Sequence, residues 1–293
     1  MSVSVLQVRD PAERRIDAAA IAEAASTSLV EELETWPKPG LVSHVDCGAH
    51  DDMDANTLRC SIEAITPYFK ALAQAGAQGA PMGRLRAIGL DAEASMLRAT
   101  GGVNTHRGTI FGMGLLCAAA GWRASRMVRP GERLGRVVAR VWGEGILDGP
   151  VLLHSHGQRA RLRYGAGGAR EQAGAGFPCA YETGLPALVE GERLSRGDAE
   201  AGRVHATFAL IAALEDTNLL HRGGPAGLSF AQAAAAGFLK RGGIGRRDWV
   251  ADAAAVHAAF TARHLSPGGA ADLLAMSLFL ARMEGRPACI SQS

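Results

Sequence analysis

Aromatic residues are scarce in this chain, 5% of 293 positions, and neither charge sign prevails, the formal net charge being +2. Few aromatics disfavour a sheet built on β-branched and aromatic side chains, whereas abundant alanine favours close-packed helices, so the expected fold is mostly helix. The near-neutral balance, without a run of Lys or Arg, excludes a general nucleic-acid surface and confines any phosphate binding to a local site. Paired cysteines are missing as well. Cys47, Cys60, Cys117, Cys179 and Cys289 are scattered and odd in number, with no C-x-x-C, which argues against a disulfide framework or zinc knuckle and suits a reducing cytoplasm. Met1 to Arg15 lacks the sustained apolar core of a signal peptide, and no apolar run is long and clean enough to span a bilayer. There is no internal repeat. The Walker sequence, G-x-G-x-x-G and G-x-S-x-G are all absent, so P-loop, Rossmann and hydrolase-elbow readings lack support.

What is present is globular: 47% hydrophobic and 20% charged residues, with length enough for a substantial core in one large domain or two smaller ones. The stretch Ala99 to Leu116 stands at its centre. Gly101 and Gly102 can stop a helix, and Asn104, Thr105, His106 and Arg107 then crowd donors into a short turn before an apolar run resumes. A helix beginning near Thr105 directs its positive end at that corner, and Arg107 can fork onto phosphate oxygens. The turn is either this anion-binding corner or a helix–loop–helix connection in which Asn104 or Thr105 caps.

Before it, Pro11 to Thr35 carries apolar residues at helical intervals and ends at Trp36-Pro37-Lys38-Pro39-Gly40, where two prolines forbid further helix and hold Lys38 on a stiff turn. Gly48-Ala49-His50-Asp51-Asp52-Met53-Asp54 precedes a helix through Leu58, Ile62, Ile65 and Phe69. One of its aspartates should cap that helix, and the others, beside His50, suit Mg²⁺, which takes few protein oxygens and the substrate's phosphates. Gln74 to Arg84 reads as a glycine-rich link and Ile88 to Thr100 as a helix, followed by a buried helix over Thr109 to Ala120 and one or two helices over Pro130 to Val151. Ser155 to Pro178 is an expected long irregular span; His154 and His156 lack a third ligand at metal spacing. Tyr181 to Pro186 reads as a further turn. A helix over Asp198 to Leu214 then ends in Glu215-Asp216-Thr217-Asn218, where two acids at a helix C-terminus call for a cation nearby, and Arg222 stands before Gly223 and Gly224 on an open turn. Three more helices follow, Ser229 to Lys240, Asp248 to His264 and Pro267 to Met283, the last with Ser266 as N-cap. Gly268, Gly269 and Asp272 either face the same site or belong to a well-capped core helix.

Together, Lys38-Pro39-Gly40-Leu41-Val42, Gly48 to Met53, Gly101 to Gly108, Tyr164-Gly165 with Gly168-Ala169-Arg170-Glu171, Glu215 to Asn218 with Arg222-Gly223-Gly224, and Leu265 to Asp272 resemble the triphosphoribosyl-dephospho-CoA synthase family. Their order covers the chain from about Pro37 to Leu280, and the wording is closer to the malonate decarboxylase branch than to the citrate lyase branch. One departure is Arg107, where the family turn often carries lysine, a change of geometry at constant charge. The resemblance implies an all-α enzyme, one compact multi-helix domain over 1–293 with long glycine-rich loops around a central nucleotide pocket. It implies attachment of the triphosphoribosyl group of ATP to the ribose 2′-hydroxyl of 3′-dephospho-CoA, release of adenine, and a product passed towards an acyl carrier protein.

That transfer needs a carboxylate to draw the proton from the incoming hydroxyl and an acid to help the base leave an oxocarbenium-like sugar. Asp52, Glu182, Glu215 and Asp216 are the catalytic candidates. Lys38, Gly102, Asn104, His106, Arg107, Arg170, Arg222 and Gly223 are the phosphate-binding candidates, with Mg²⁺ carried by Asp52, Glu215 and Asp216. Which acid is base and which is ligand stays open, as do Glu171 and the state of association, homo-oligomer included. Two other classes compete: a non-catalytic carrier of the prosthetic group, which needs the basic turns but not the acids, and an ATP-dependent kinase, which yields ADP instead of adenine.

Overall fold

A computed structural model describes residues 17–125, 131–149 and 167–285. Eleven α-helices and no strand occur among them, in agreement with the all-α expectation. Helix α1 (Ala18–Leu33) is capped by Asp17, and α2 (Ala55–Ala77) by Asp54, whose Oδ1 accepts the Thr57 amide at 2.7 Å. Asp54 is thus the capping aspartate, which leaves Asp51 and Asp52 without that duty. Helix α3 (Met82–Ala99) starts six residues before the expected Ile88, because Pro81 stands just ahead of its first turn and the presumed glycine-rich link shrinks to 78–81. Helix α4 (Arg107–Ser125) is buried along almost its whole length, and α5 (Leu134–Leu147) covers its later turns.

Of the expected irregular span, 155–166 and the pair His154 and His156 lie outside the described residues, and the rest contains the short helix α6 (Ala169–Gly174). Tyr181 to Pro186 is not a plain turn: a π-helical turn (Ala180–Gly184) runs straight into α7 (Leu185–Leu194). After α8 (Ala199–Ala213), Asp216 starts a new helix instead of ending the old one. That helix, α9 (Thr217–Lys240), kinks at Gly224, where Pro225 follows and removes a donor. Helices α10 (Trp249–Thr261) and α11 (Gly268–Glu284) complete the chain. Ser266 does not cap α11, as its hydroxyl is held by His50 Nε2 at 2.8 Å.

Two helices make the core. In α11 the residues from Leu273 to Leu280 are all buried, and it packs on α1, α4, α8 and α9; α4 packs on α1, α2, α3, α5 and α11. Full burial of each Leu, Met or Phe here contributes roughly 1.5–3 kcal/mol. The α2–α4 crossing is close enough that backbone meets backbone. A Cβ at Gly121 would stand 1.9 Å from Ala73 O, and one at Gly76 would stand 2.0 Å from Ala118 O.

Beneath α1 lies a second constraint. Lys38 is 0% exposed, and its Nζ donates to Glu32 Oε1 at 2.5 Å and to Glu32 O at 2.6 Å. Burial pulls the ammonium below its ordinary pKa and Glu32 opposes that pull. His257 donates to Lys38 O and meets Asp46, which pins the turn from the other side.

Gly121→Ala is expected to cost about 1–3 kcal/mol through overpacking, whereas Gly89→Ala on α3, with open space at its Cβ, gains roughly 0.5–1 kcal/mol; urea unfolding of both variants checks the contrast. Lys38→Met leaves Glu32 without its partner and is expected to lose about 3–5 kcal/mol. Most of that loss returns when Glu32→Gln is added, as read from the same unfolding curves.

Candidate active site

One cavity of about 770 Å³ opens where the first turns of α4, α9 and α11 meet. Asp216 holds two of them together. Its Oδ1 accepts the amides of Asn218 (2.8 Å) and Leu219 (3.4 Å) in α9, and its Oδ2 accepts the amide of Ala270 in α11 (3.0 Å). Burial pushes its pKa up and these amides pull it down. The cation expected beside Glu215 and Asp216 is therefore supplied by two helix N-termini instead of a side chain. Glu215, next to it, is exposed and lines the cavity.

Arg107, the first residue of α4, stands in the wall with its Nε 2.9 Å from Glu93 Oε2. Asn104, also in the wall, accepts the Arg107 amide at 3.3 Å, so it caps as well as faces the cavity. His106 is buried, and Ser61 lies 2.7 Å from its Nδ1, with Thr105 donating to Ser61 at 2.7 Å. With Thr105 donating, the serine passes its own hydrogen to Nδ1, so the ring proton sits on Nε2. Burial, then Lys38 behind the wall, pushes His106 down to about 4. It is accordingly a neutral donor at ordinary pH and not part of a cationic clamp.

Arg222 reaches across the mouth. Its Nη1 donates to Ala49 O and His264 O, both at 3.1 Å, and its Nη2 to His50 Nδ1 at 3.2 Å. His50 Nδ1 also lies 3.3 Å from Asp52 Oδ1. Because a guanidinium only donates, Nδ1 is assigned as the acceptor from Arg222, with Nε2–H facing Ser266. Burial and Arg222 both lower the His50 pKa while the Asp52 charge opposes that pull, consistent with a neutral ring. Asp52, on the same stretch, is exposed and lines the cavity. Arg170 lines it from α6 and donates to Gly149 O at 2.9 Å.

Asp52, Glu215, Asp216, Asn104, His106, Arg107, Arg170 and Arg222 are thus gathered on one cavity, and four other candidates are not. Lys38 sits wholly behind the wall on Glu32, which corrects its expected phosphate contact: its ammonium neutralises the wall from within. Glu182 is exposed on the π turn, away from the wall, because that turn directs it outward. Gly102 and Gly223 are exposed outside it. Nor do Asp52, Glu215 and Asp216 form a metal cluster. Among the described residues no three His, Cys, Asp or Glu side chains converge to hold an ion, and the oxygens of Asp216 already accept three amides.

Asp272, which the sequence left between a site residue and a core helix, belongs to the cavity wall. Thr109 donates to its Oδ1, and its Oδ2 occupies the place where Gly108 would carry a Cβ, 2.0 Å away. Burial first, with Glu32 and Asp216 adding repulsion, raises it to about 7. Beyond it the wall turns apolar, through Phe111, Gly112, Phe177 and Met276. The signal available in sequence was an acid one turn inside a helix, past the positions where capping is useful.

A family model for ATP:dephospho-CoA triphosphoribosyl transferase matches residues 18–289. Relatives named probable 2-(5''-triphosphoribosyl)-3'-dephosphocoenzyme-A synthase include one from Stutzerimonas stutzeri, 41% identical over 271 residues, with 90% of this chain and 91% of the relative covered. Others come from Pseudomonas aeruginosa, 41% identical over 270 residues with 90% of each chain covered, and Acinetobacter calcoaceticus, 37% identical over 265 residues with 89% of each covered. No solved structure matches the chain. A cavity ringed by guanidiniums, helix starts and carboxylates, in a chain alike to these synthases over 90% of its length, leaves one conclusion: this chain is a transferase and belongs to the ATP:dephospho-CoA triphosphoribosyl transferase family.

Proposed function

We propose that the chain, as one catalytic domain, moves the 5-triphosphoribosyl group of ATP to the ribose 2′-hydroxyl of 3′-dephospho-CoA and releases adenine. The relatives' names support the reaction. The observation that carries it on this chain is that Arg107, Arg170 and Arg222 share one cavity with Asp52, Glu215, Asp216 and Asp272, and that this cavity is large enough for a nucleotide by the rough 300–1,000 Å³ of small-molecule sites.

Arg107 and Arg170 in the wall, with Arg222 across the mouth, receive the triphosphate, since planar guanidiniums pair with phosphate oxygens two at a time. Neutral His106 donates from Nε2 without repelling its neighbours. Glu215, exposed in the wall and clear of the amides that hold Asp216, takes the proton of the 2′-hydroxyl. Asp216 keeps the two helix starts in place and adds negative charge where the sugar becomes cationic. Mg²⁺ enters with the triphosphate, which needs one or two protein carboxylates at most, and Asp52 beside Arg222 would hold it; there it would offset phosphate charge. The wording of the motifs favours the malonate decarboxylase branch, with the product going on towards its acyl carrier protein. The cytoplasm is the compartment proposed for it, and no helix among the described residues is long and apolar enough to cross a membrane.

With ATP, Mg²⁺ and dephospho-CoA, free adenine is expected in step with loss of dephospho-CoA, read by chromatography. ADP without adenine would make the chain a kinase, and binding without either product would make it a carrier. Arg107→Gln is expected to lower kcat/KM for ATP by about 10- to 100-fold, from the loss of one charged hydrogen bond. Arg107→Lys should retain part of that through charge alone.

A further inference from the structure

We propose that Asp272 is the general acid of this transfer, holding a proton at the border of the cavity's charged and apolar parts and passing it to a ring nitrogen of the departing adenine. The inference rests on the transferase reading above. Its geometry is independent of that reading. Gly268, Asp272 and Met276 recur every four residues on α11 and all line the cavity, so Asp272 stands between the helix start and the apolar floor. On α4 the facing pairs are Gly108 with Thr109 and Phe111 with Gly112; a Cβ at Gly112 would meet Met276 Sδ at 2.6 Å and Phe177 Cε1 at 3.4 Å. A flat purine placed against half-buried Phe111, with buried Phe177 and Met276 beneath, would bring its ring nitrogens beside the carboxyl.

The surroundings favour the neutral form. Asp272 is only partly exposed, and the cavity is where it is exposed. The carboxylates acting on it are Glu32 from α1, with Lys38 behind it, and Asp216 from the head of α9. From α4 it receives the Thr109 hydroxyl at Oδ1, which leaves Oδ2, against Gly108, to carry the proton. In the step, the C1′–N9 bond breaks with its electron pair going to adenine, and the Asp272 proton moves to N7 or N3, so adenine departs neutral. The bond from C1′ to the 2′-oxygen of dephospho-CoA forms, and the proton of that hydroxyl goes to Glu215. Water returns the proton from Glu215 to Asp272 between turnovers, and no oxidant or reductant is required.

Asp272→Asn keeps the shape and an acceptor for Thr109, so nucleotide affinity by calorimetry should stay within about threefold while kcat for adenine release falls by about 10²- to 10⁴-fold. N7-methyl-ATP separates acid catalysis from a structural role, because its cationic base leaves without being protonated. On that substrate Asp272→Asn is expected within about tenfold of wild type, and the fall of wild-type kcat above an apparent pKa near 7 should vanish. Equal losses on ATP and N7-methyl-ATP, or an Asp272→Asn enzyme as fast as wild type on ATP, would overturn the proposal while leaving the transferase reading intact. Wild-type enzyme that releases no adenine would overturn the transferase reading and this acid role with it. The held proton has its own readout. A carboxyl raised from 3.8 to about 7 binds more protons folded than unfolded, so wild type should lose stability relative to Asp272→Asn as pH rises from about 4 through about 7. Urea midpoints that run parallel over that range would show Asp272 to be ionised and end the proposal.

Discussion

Asp216 is the joint on which the cavity depends. A carboxylate with 1% exposure loses several kcal/mol of hydration unless its oxygens find partners. Here three backbone amides from two helices supply them, and both helix dipoles place their positive ends on the charge. Because α9 and α11 share one capping group, their starts cannot separate without exposing that charge to an unpaired interior. The hollow between them is therefore a fixed feature of the fold, and the loop carrying His50 is fastened to its edge through Ser266 and Arg222.

The third helix start owes its place to packing instead of charge. Helix α4 is buried on nearly every side, and its contact with α2 is so close that Gly76 and Gly121 leave no space for a methyl group. A helix held that tightly presents its first turn rigidly, which is what a site residue needs from its scaffold. Gly108 then permits Asp272 to lie directly against that turn. The same absence of side chain thus brings α4 against its neighbour in the core and against a carboxyl in the cavity.

Much of this was legible in the sequence, for identifiable reasons. Helix periodicity located nearly every helix, and Pro37, Pro39 and the Gly101-Gly102 pair marked true ends, since these residues act through local sterics. The motif set found the turns that meet at the cavity. What failed was direction and depth. Lys38 on a proline-stiffened turn looks exposed, and only tertiary packing reveals that Glu32 lies beneath it. Asp216 read as the unfavourable end of one helix because the following segment, rich in glycine and ending in Pro225, hides the start of the next; its capping role exists only once Thr217 begins α9. His106 carries no local sign that burial would keep it neutral. Asp272 was the least visible, because its environment is assembled from α1, α4 and α9, three elements far apart in the chain.

The distribution of charge that results suits a transfer between two opposite demands. A triphosphate asks for positive charge and a sugar losing its base asks for negative charge, and a site that mixed the two would screen both. In this cavity the guanidiniums of Arg107, Arg170 and Arg222 stand apart from Asp216 and Asp272, and the one ammonium close to the carboxylates, Lys38, is confined behind Glu32. Lys38 therefore limits the accumulated negative charge without offering a binding point to phosphate. It cannot neutralise all three carboxylates, and the repulsion that remains falls on the one with the fewest amide donors. Asp216 has three and Glu32 has Lys38, whereas Asp272 has a single hydroxyl. In the acid role proposed for it, Asp272 keeps its proton because Asp216 is already supplied with amides and Glu32 with an ammonium, and that places an acid next to the apolar floor and leaves Asp216 to face a developing cation.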